Sequence, residues 1–196
     1  MTIMYNCEGN GEVHMDVLKA ICGDTSGKSM IDLCCGFAPQ TRRLGFENKF
    51  YIDVVDRDLA EEKKRFLVID IFYYITNFLH FICDTSFLLD AVEHFPKEKS
   101  KIILKWMEDY SKKQIIFTPL GDYIIETVET NNPDSHKSGW LPQEFEEMGY
   151  ATIVFPNFHK LLNIGAFFAF KCENLEEECK RISNELNNKS WANLNN

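Results

Sequence analysis

Between Ser29 and Phe117 one pattern recurs: a short apolar run closes on an acid, a glycine or a proline, and a turn or helical stretch follows. The runs are residues 29–33, with Asp32 near the end and a turn at Gly36, and 50–55, with Asp53 and then Asp56. Residues 66–69 lead to Asp70, 85–89 to Asp90, and 114–117 to Pro119. Continuous apolar runs of this kind are buried on both faces, which is the condition of parallel strands covered by helices on either side. Helical spacing is visible between and around them. Val13, Val17, Leu18 and Ile21 lie on one face before Gly23, and residues 71–81 read as a short helix. Ile102, Ile103, Trp106 and Tyr110 share a face of a helix over 96–110, with Pro96 near its first turn.

Pro142 opens a short helix that Gly149 ends, and residues 152–155 and 164–170 read as two closing strands. They lie too close for a crossover helix, so they pair antiparallel. Asn174 with Glu177 resembles a capping box at the start of a last helix, about 174–188. Residues 1–11 read as a loose leader and the Asn-rich tail from Asn187 as frayed. The expected architecture is one α/β domain over 1–196, with its core at about 12–172. It is a three-layer sandwich around a mostly parallel seven-stranded sheet with an antiparallel edge hairpin.

Composition narrows the function. The chain has 196 residues, the size of one domain, and is 45% hydrophobic, enough for a sizeable core. It has no apolar stretch of about 18 residues, as a membrane span requires. The first residues, Met1-Thr2-Ile3-Met4-Tyr5-Asn6, lack the basic and apolar regions of a secretory signal. Seven cysteines, with Cys34 and Cys35 adjacent and no CxxC pair, read as reduced thiols in a cytoplasmic protein. The net charge of −9 disfavours a partner held mainly through bare nucleic-acid phosphates. Oligomeric state leaves no trace in the sequence.

Three tempting motifs fail on physical grounds. Gly23-Asp24-Thr25-Ser26-Gly27-Lys28-Ser29 has one residue too few for a phosphate loop and leads into a strand instead of a helix. Gly9-Asn10-Gly11 has no third glycine and no preceding strand. His14, His80 and His159 are isolated and no His/Cys spacing matches a zinc site, so no metal is expected.

The most informative stretch is Met30-Ile31-Asp32-Leu33-Cys34-Cys35-Gly36-Phe37-Ala38-Pro39, an apolar strand that ends on a carboxylate and turns at small residues. In an open α/β sheet, ligands bind beyond the carboxyl ends of the strands. Asp-Leu-x-Cys-Gly resembles motif I of the class I S-adenosylmethionine-dependent methyltransferases, and the likeness continues in order to about residue 172. Asp53 and Asp56 follow Asp32 by 21 and 24 residues. The resemblance implies that one of them holds both ribose hydroxyls of the cofactor, a role a carboxylate can fill. It also places Asp70, with Ile71, beside the adenine. Asp90-Ala91-Val92-Glu93-His94 is similar to the segment that passes the methionine part. Asp32, Cys34, Gly36 and Phe37 complete the cofactor set. The family's Gly-x-Gly-x-Gly is here Cys34-x-Gly36-x-Ala38, which makes positive φ less comfortable at the first and third positions.

The implied function is in-line methyl transfer from S-adenosylmethionine, leaving S-adenosylhomocysteine, to a small or medium-sized acceptor. The protein then supplies mainly orientation. Substrate-side groups should follow the fourth and fifth strands, where Asp90, His94 and His136 are the candidates for a base or a substrate contact. The competing readings are an inactive S-adenosylmethionine-binding regulatory or assembly protein and, further off, a nicotinamide-dependent oxidoreductase.

Overall fold

The computed structural model describes residues 1–56, 65–122, 135–159 and 164–193. In chain order the elements are β1 (Thr2–Met4), α1 (Gly11–Cys22), β2 (Ser29–Leu33), β3 (Asn48–Asp53), β4 (Phe66–Val68), α2 (Ile71–Asn77) and β5 (Cys83–Leu89). Then come α3 (Lys97–Tyr110), β6 (Ser111–Pro119), α4 (Pro142–Glu147), β7 (Ala151–His159), β8 (Ile164–Cys172) and α5 (Leu175–Asn187). The strands form one sheet in the order β1-β7-β8-β6-β5-β2-β3-β4. All neighbours pair parallel except β8, which runs antiparallel to both β6 and β7. The expected α/β sandwich is present.

Helices α1 and α5 cover one face and α2, α3 and α4 the other. Side chains alternate between the two cores along each strand: Ile115 and Phe117 pack toward α1, Ile116 toward α3. Both faces are apolar, which is why the strands read as unbroken runs. From β2 the chain adds β3 and β4 on one side, then returns to place β5 and β6 on the other. The strand order therefore reverses between β2 and β5, and a crevice opens there.

Five expectations are corrected. The leader is not loose: β1 pairs parallel with β7 through Ile3↔Ile153, and Tyr5 and Cys7 are buried. The sheet has eight strands instead of seven, with β1 outside the antiparallel hairpin. A three-residue run carries too little pattern to announce itself; the free edge of β7 recruits it. Residues 188–192 do not fray. Trp191 Nε1 and Lys189 Nζ each donate to the Asp16 carboxylate at 2.9 Å, and the Trp191 ring sits edge-on to Tyr5 at 5.5 Å. Helix α5 starts where expected, but the Asn174 side chain caps nothing. The side-chain caps fall on Asn10, which accepts from Glu12 and Val13 N–H at 2.9 Å, and on Asp70, which accepts from Tyr73 N–H at 3.0 Å. Helix α2 ends at Asn77, short of the 71–81 expected.

His14 sits in the α1 core against the rings of Phe117 and Phe168, at 4.4 and 5.0 Å, with its Nε2 unbonded. Burial, with a smaller push from His159, holds its imidazole down to about 4. The unfolded chain takes up this proton near 6.5 and the folded one does not, so stability falls as pH drops from about 6.5 to 4. His14→Phe should remove that loss. In urea titrations at pH 7 and pH 4, the parent should lose about 3 kcal/mol more than the variant.

Candidate active site

A cavity of about 490 Å³ occupies the crevice at the carboxyl ends of β2, β3 and β5. This is the size of a small-ligand site. Of the residues singled out from the sequence, Asp32, Cys34, Gly36, Phe37, Asp53, Asp70, Ile71, Asp90 and His94 line it. Asp56 is exposed and outside the lining; His136 stands behind the wall, against Glu93.

The turn after β2 forms the floor. Cys34, Gly36 and Ala38 have φ of 54°, 52° and 47°. The left-handed backbone of a three-glycine turn is thus kept where two glycines have been replaced, at a cost of about 1 kcal/mol or more per residue. A Cβ built on Gly36 meets nothing within 4 Å, so its bare face borders open space. Asp53, at the end of β3, ties this turn down. Its Oδ2 accepts from Gly36 N–H and its Oδ1 from Val55 N–H, both at 2.8 Å. Phe37, which could have been a core residue, is 62% exposed at the rim.

Asp32 is buried beneath the turn. Thr41 Oγ1 donates to its Oδ2 at 2.5 Å, while Oδ1 has no partner. Burial pushes its carboxyl up to about 7, against the pull of the Thr41 bond. Burial, with the charges of Asp53 and Asp32 nearby, also pushes the Cys34 and Cys35 thiols far up, so both stay protonated and are poor nucleophiles. Asp70 spends Oδ1 on capping α2, next to Ile71 in the cavity wall. Asp90 has φ 48° and lines the cavity, where desolvation by the surrounding protein raises its carboxyl.

Glu93, His94 and His136 come together at the far end, each offering a ligand atom within 4.8 Å of the others. The sequence marks both histidines as candidates, but neither a metal nor Glu93 is expected there from local pattern. The adjacent Glu93-His94 pair was the available signal; its partner lies 42 residues on and is brought in by backbone bonds. Lys137 and Ser138 N–H both donate to Glu93 O, at 2.7 and 3.1 Å. Thr118 Oγ1 donates to Glu93 Oε2 at 3.0 Å, leaving Oε1 at 4.0 Å from His136 Nε2. His94 Nδ1 lies 3.2 Å from Ser135 O, a bond that directs its Nε2 lone pair away from the backbone. Burial, with Asp90 adding, pushes the Glu93 carboxyl up to about 8. This donor set of two imidazoles and a carboxylate, with oriented outer partners, suits a divalent transition metal.

Gly139 lets the 135–140 segment take this path, because a Cβ there would lie 2.5 Å from both Asp122 Cα and Gly121 O. Both are backbone atoms that cannot rotate aside. Gly139→Ala should cost about 2 kcal/mol in chemical denaturation and pull His136 away from Glu93.

The order of strands, the acids at their ends and the crevice at the reversal point describe one architecture. The fold is that of the class I S-adenosylmethionine-dependent methyltransferases. Solved structures of that fold superpose on most of the chain. The methyltransferase domain of bacterial CtHen1 is 17% identical over 81% of this chain and 97% of its own, with a TM-score of 0.54. Magnesium protoporphyrin IX methyltransferase from Synechocystis PCC 6803, with bound S-adenosylmethionine, is 13% identical over 82% and 78%, at 0.53. DhpI, in complex with the same cofactor, is 12% identical over 82% and 86%, at 0.57. No protein-family profile and no curated protein sequence matches the chain. The methyltransferase fold here has a short connection from β2 to β3, reduced to a single 3-10 turn at Thr41–Arg43. No helix among the described residues is long and apolar enough to cross a membrane.

Proposed function

We propose that the protein is an S-adenosylmethionine-dependent methyltransferase acting on an oxygen of a small or medium-sized acceptor, with a divalent cation at Glu93, His94 and His136. The observation that carries this reading is one cavity that runs from the Gly36 turn and Asp53, past Asp90, to His94, the member of the Glu93–His94–His136 cluster that lines it. Gly36 admits the cofactor to the backbone. Asp53, not the exposed Asp56, is the acid positioned for the ribose hydroxyls. Asp70 and Ile71 flank the adenine. The unbonded Oδ1 of Asp32 is a buried acceptor suited to a cationic group.

When bound, the cofactor supplies an electrophilic methyl on a positively charged sulfur. The chain's own residues orient the two partners in line. A divalent cation on Glu93 Oε1 and the two imidazoles would make an acceptor hydroxyl more acidic, which explains why a side-chain base need not act alone.

The test is thermal denaturation with S-adenosylmethionine, S-adenosylhomocysteine, NAD and ATP. At 100 times the dissociation constant a specific ligand adds about 2.7 kcal/mol, a rise of roughly 5–10 °C. The first two should shift the midpoint and NAD should not; a shift with NAD alone restores the oxidoreductase reading. Cofactor binding without methyl transfer to any metabolite, nucleic-acid or protein pool would point to a regulatory or assembly protein.

A further inference from the structure

The cavity is lined by four aspartates, Asp32, Asp53, Asp70 and Asp90, and among the described residues by a single lysine, Lys137. Lys137 is the residue after His136, and its backbone N–H donates to Glu93 O at 2.7 Å. Ser138 holds the other side, its N–H on Glu93 O at 3.1 Å and its Oγ on Phe95 O at 2.8 Å. The root of the side chain is therefore fixed on the residue that carries the cluster's carboxylate. The side chain itself is exposed, and its ammonium takes no hydrogen bond or ion pair among the described residues. Other lysines of this acidic chain close on carboxylates: Lys97 on Glu144, Lys113 on Glu178, Lys171 on Glu108, Lys189 on Asp16.

A net charge of −9 and a wall of aspartates repel an anion. A neutral acceptor needs no ammonium at the acceptor end, and a cationic one is repelled by it. An anionic acceptor needs it, both to offset the surrounding carboxylates and to fix orientation through a charge-assisted bond. We propose that the methyl acceptor carries an anionic group, a phosphate or a carboxylate, beside its reacting oxygen, and that Lys137 binds that group. This rests on the methyl-transfer reading of the cavity. Consecutive residues of one anchored segment then divide the work: His136 would help hold a cation, and Lys137 selects the acceptor by its anionic group.

The experiment is an NMR titration of the full chain, stripped of metal on a chelating resin and saturated with S-adenosylhomocysteine. Sodium phosphate and sodium acetate are added separately at constant ionic strength while the amides of His136, Lys137 and Ser138 are followed. Saturable shifts are expected with at least one anion, and the tighter of the two names the group the acceptor carries. Lys137→Ala and Lys137→Glu should weaken that binding at least tenfold, and Lys137→Arg should keep it within threefold. If neither anion saturates, or if Lys137→Glu binds as tightly as the parent, the proposal is overturned while the cofactor reading stands. If the parent does not bind S-adenosylhomocysteine at all, both fall together.

Discussion

Asp53→Ala is expected to weaken S-adenosylhomocysteine binding at least tenfold and to cost the folded protein about 2 kcal/mol. A carboxylate that accepts from two ribose hydroxyls contributes roughly 1.5–3 kcal/mol per charge-assisted bond, so losing even one exceeds a factor of ten. The stability cost has a separate origin. Asp53 already accepts from Gly36 and Val55 N–H, and both amides lose this acceptor when the side chain goes. Strand-end carboxylates ordinarily contribute little to a core; this one pins the turn after β2 to β3. Asp56→Ala should change neither quantity, because Asp56 is exposed and outside the cavity lining. Calorimetry with urea denaturation on both variants separates the two effects. An Asp53→Ala protein that folds and binds S-adenosylhomocysteine like the parent would sink the placement of the ribose.

Glu93→Gln should lower the affinity for Mn2+ at least a hundredfold and methyl transfer with it, while the fold is retained. Outer partners of metal ligands are worth 10–100-fold in affinity, and a direct carboxylate ligand exceeds them. The amide can still take the Thr118 Oγ1 bond, and it leaves Glu93 O free to receive the Lys137 and Ser138 amides as before. What disappears is the ionisable carboxyl beside the two imidazoles. Mn2+ titration followed by electron paramagnetic resonance measures the first effect, and chelator-treated enzyme with metal restored measures the second. Tight Mn2+ binding by the variant, or full methyl transfer by the chelated parent, would remove the cation from the reaction.

The sheet was legible in the sequence because its central strands are buried on both faces. Met30, Ile31 and Leu33, Tyr51 and Ile52, Phe87 and Leu88, and Ile115, Ile116 and Phe117 are buried on one face or the other, so each run is predominantly apolar up to the point where the chain leaves the core for the crevice. The crevice end was legible for the same reason: Asp32, Asp53, Asp70 and Asp90 sit at or just past strand ends, and strand ends are visible as the point where an apolar run stops. That Asp53 lines the crevice and Asp56 does not was not visible. It depends on β3 ending at Asp53, whose two oxygens then turn back onto Gly36 and Val55.

Where side chains meet across distant segments, only the tertiary structure decided. β1 exists because β7 presents an unpaired edge, and residues 189–191 are ordered because Asp16 accepts from both Lys189 and Trp191. The positive φ of Cys34 and Ala38 is imposed by the turn against the preference of the residues themselves. The Glu93–His94–His136 cluster is the clearest case. His94 and His136 can be marked singly as candidates, but nothing local joins them to Glu93 or says that Lys137 and Ser138 will hydrogen-bond to Glu93 O. Burial periodicity is a property of neighbours in sequence and is written there; a ligand set is a property of neighbours in space, and appears only once the strands have brought them together.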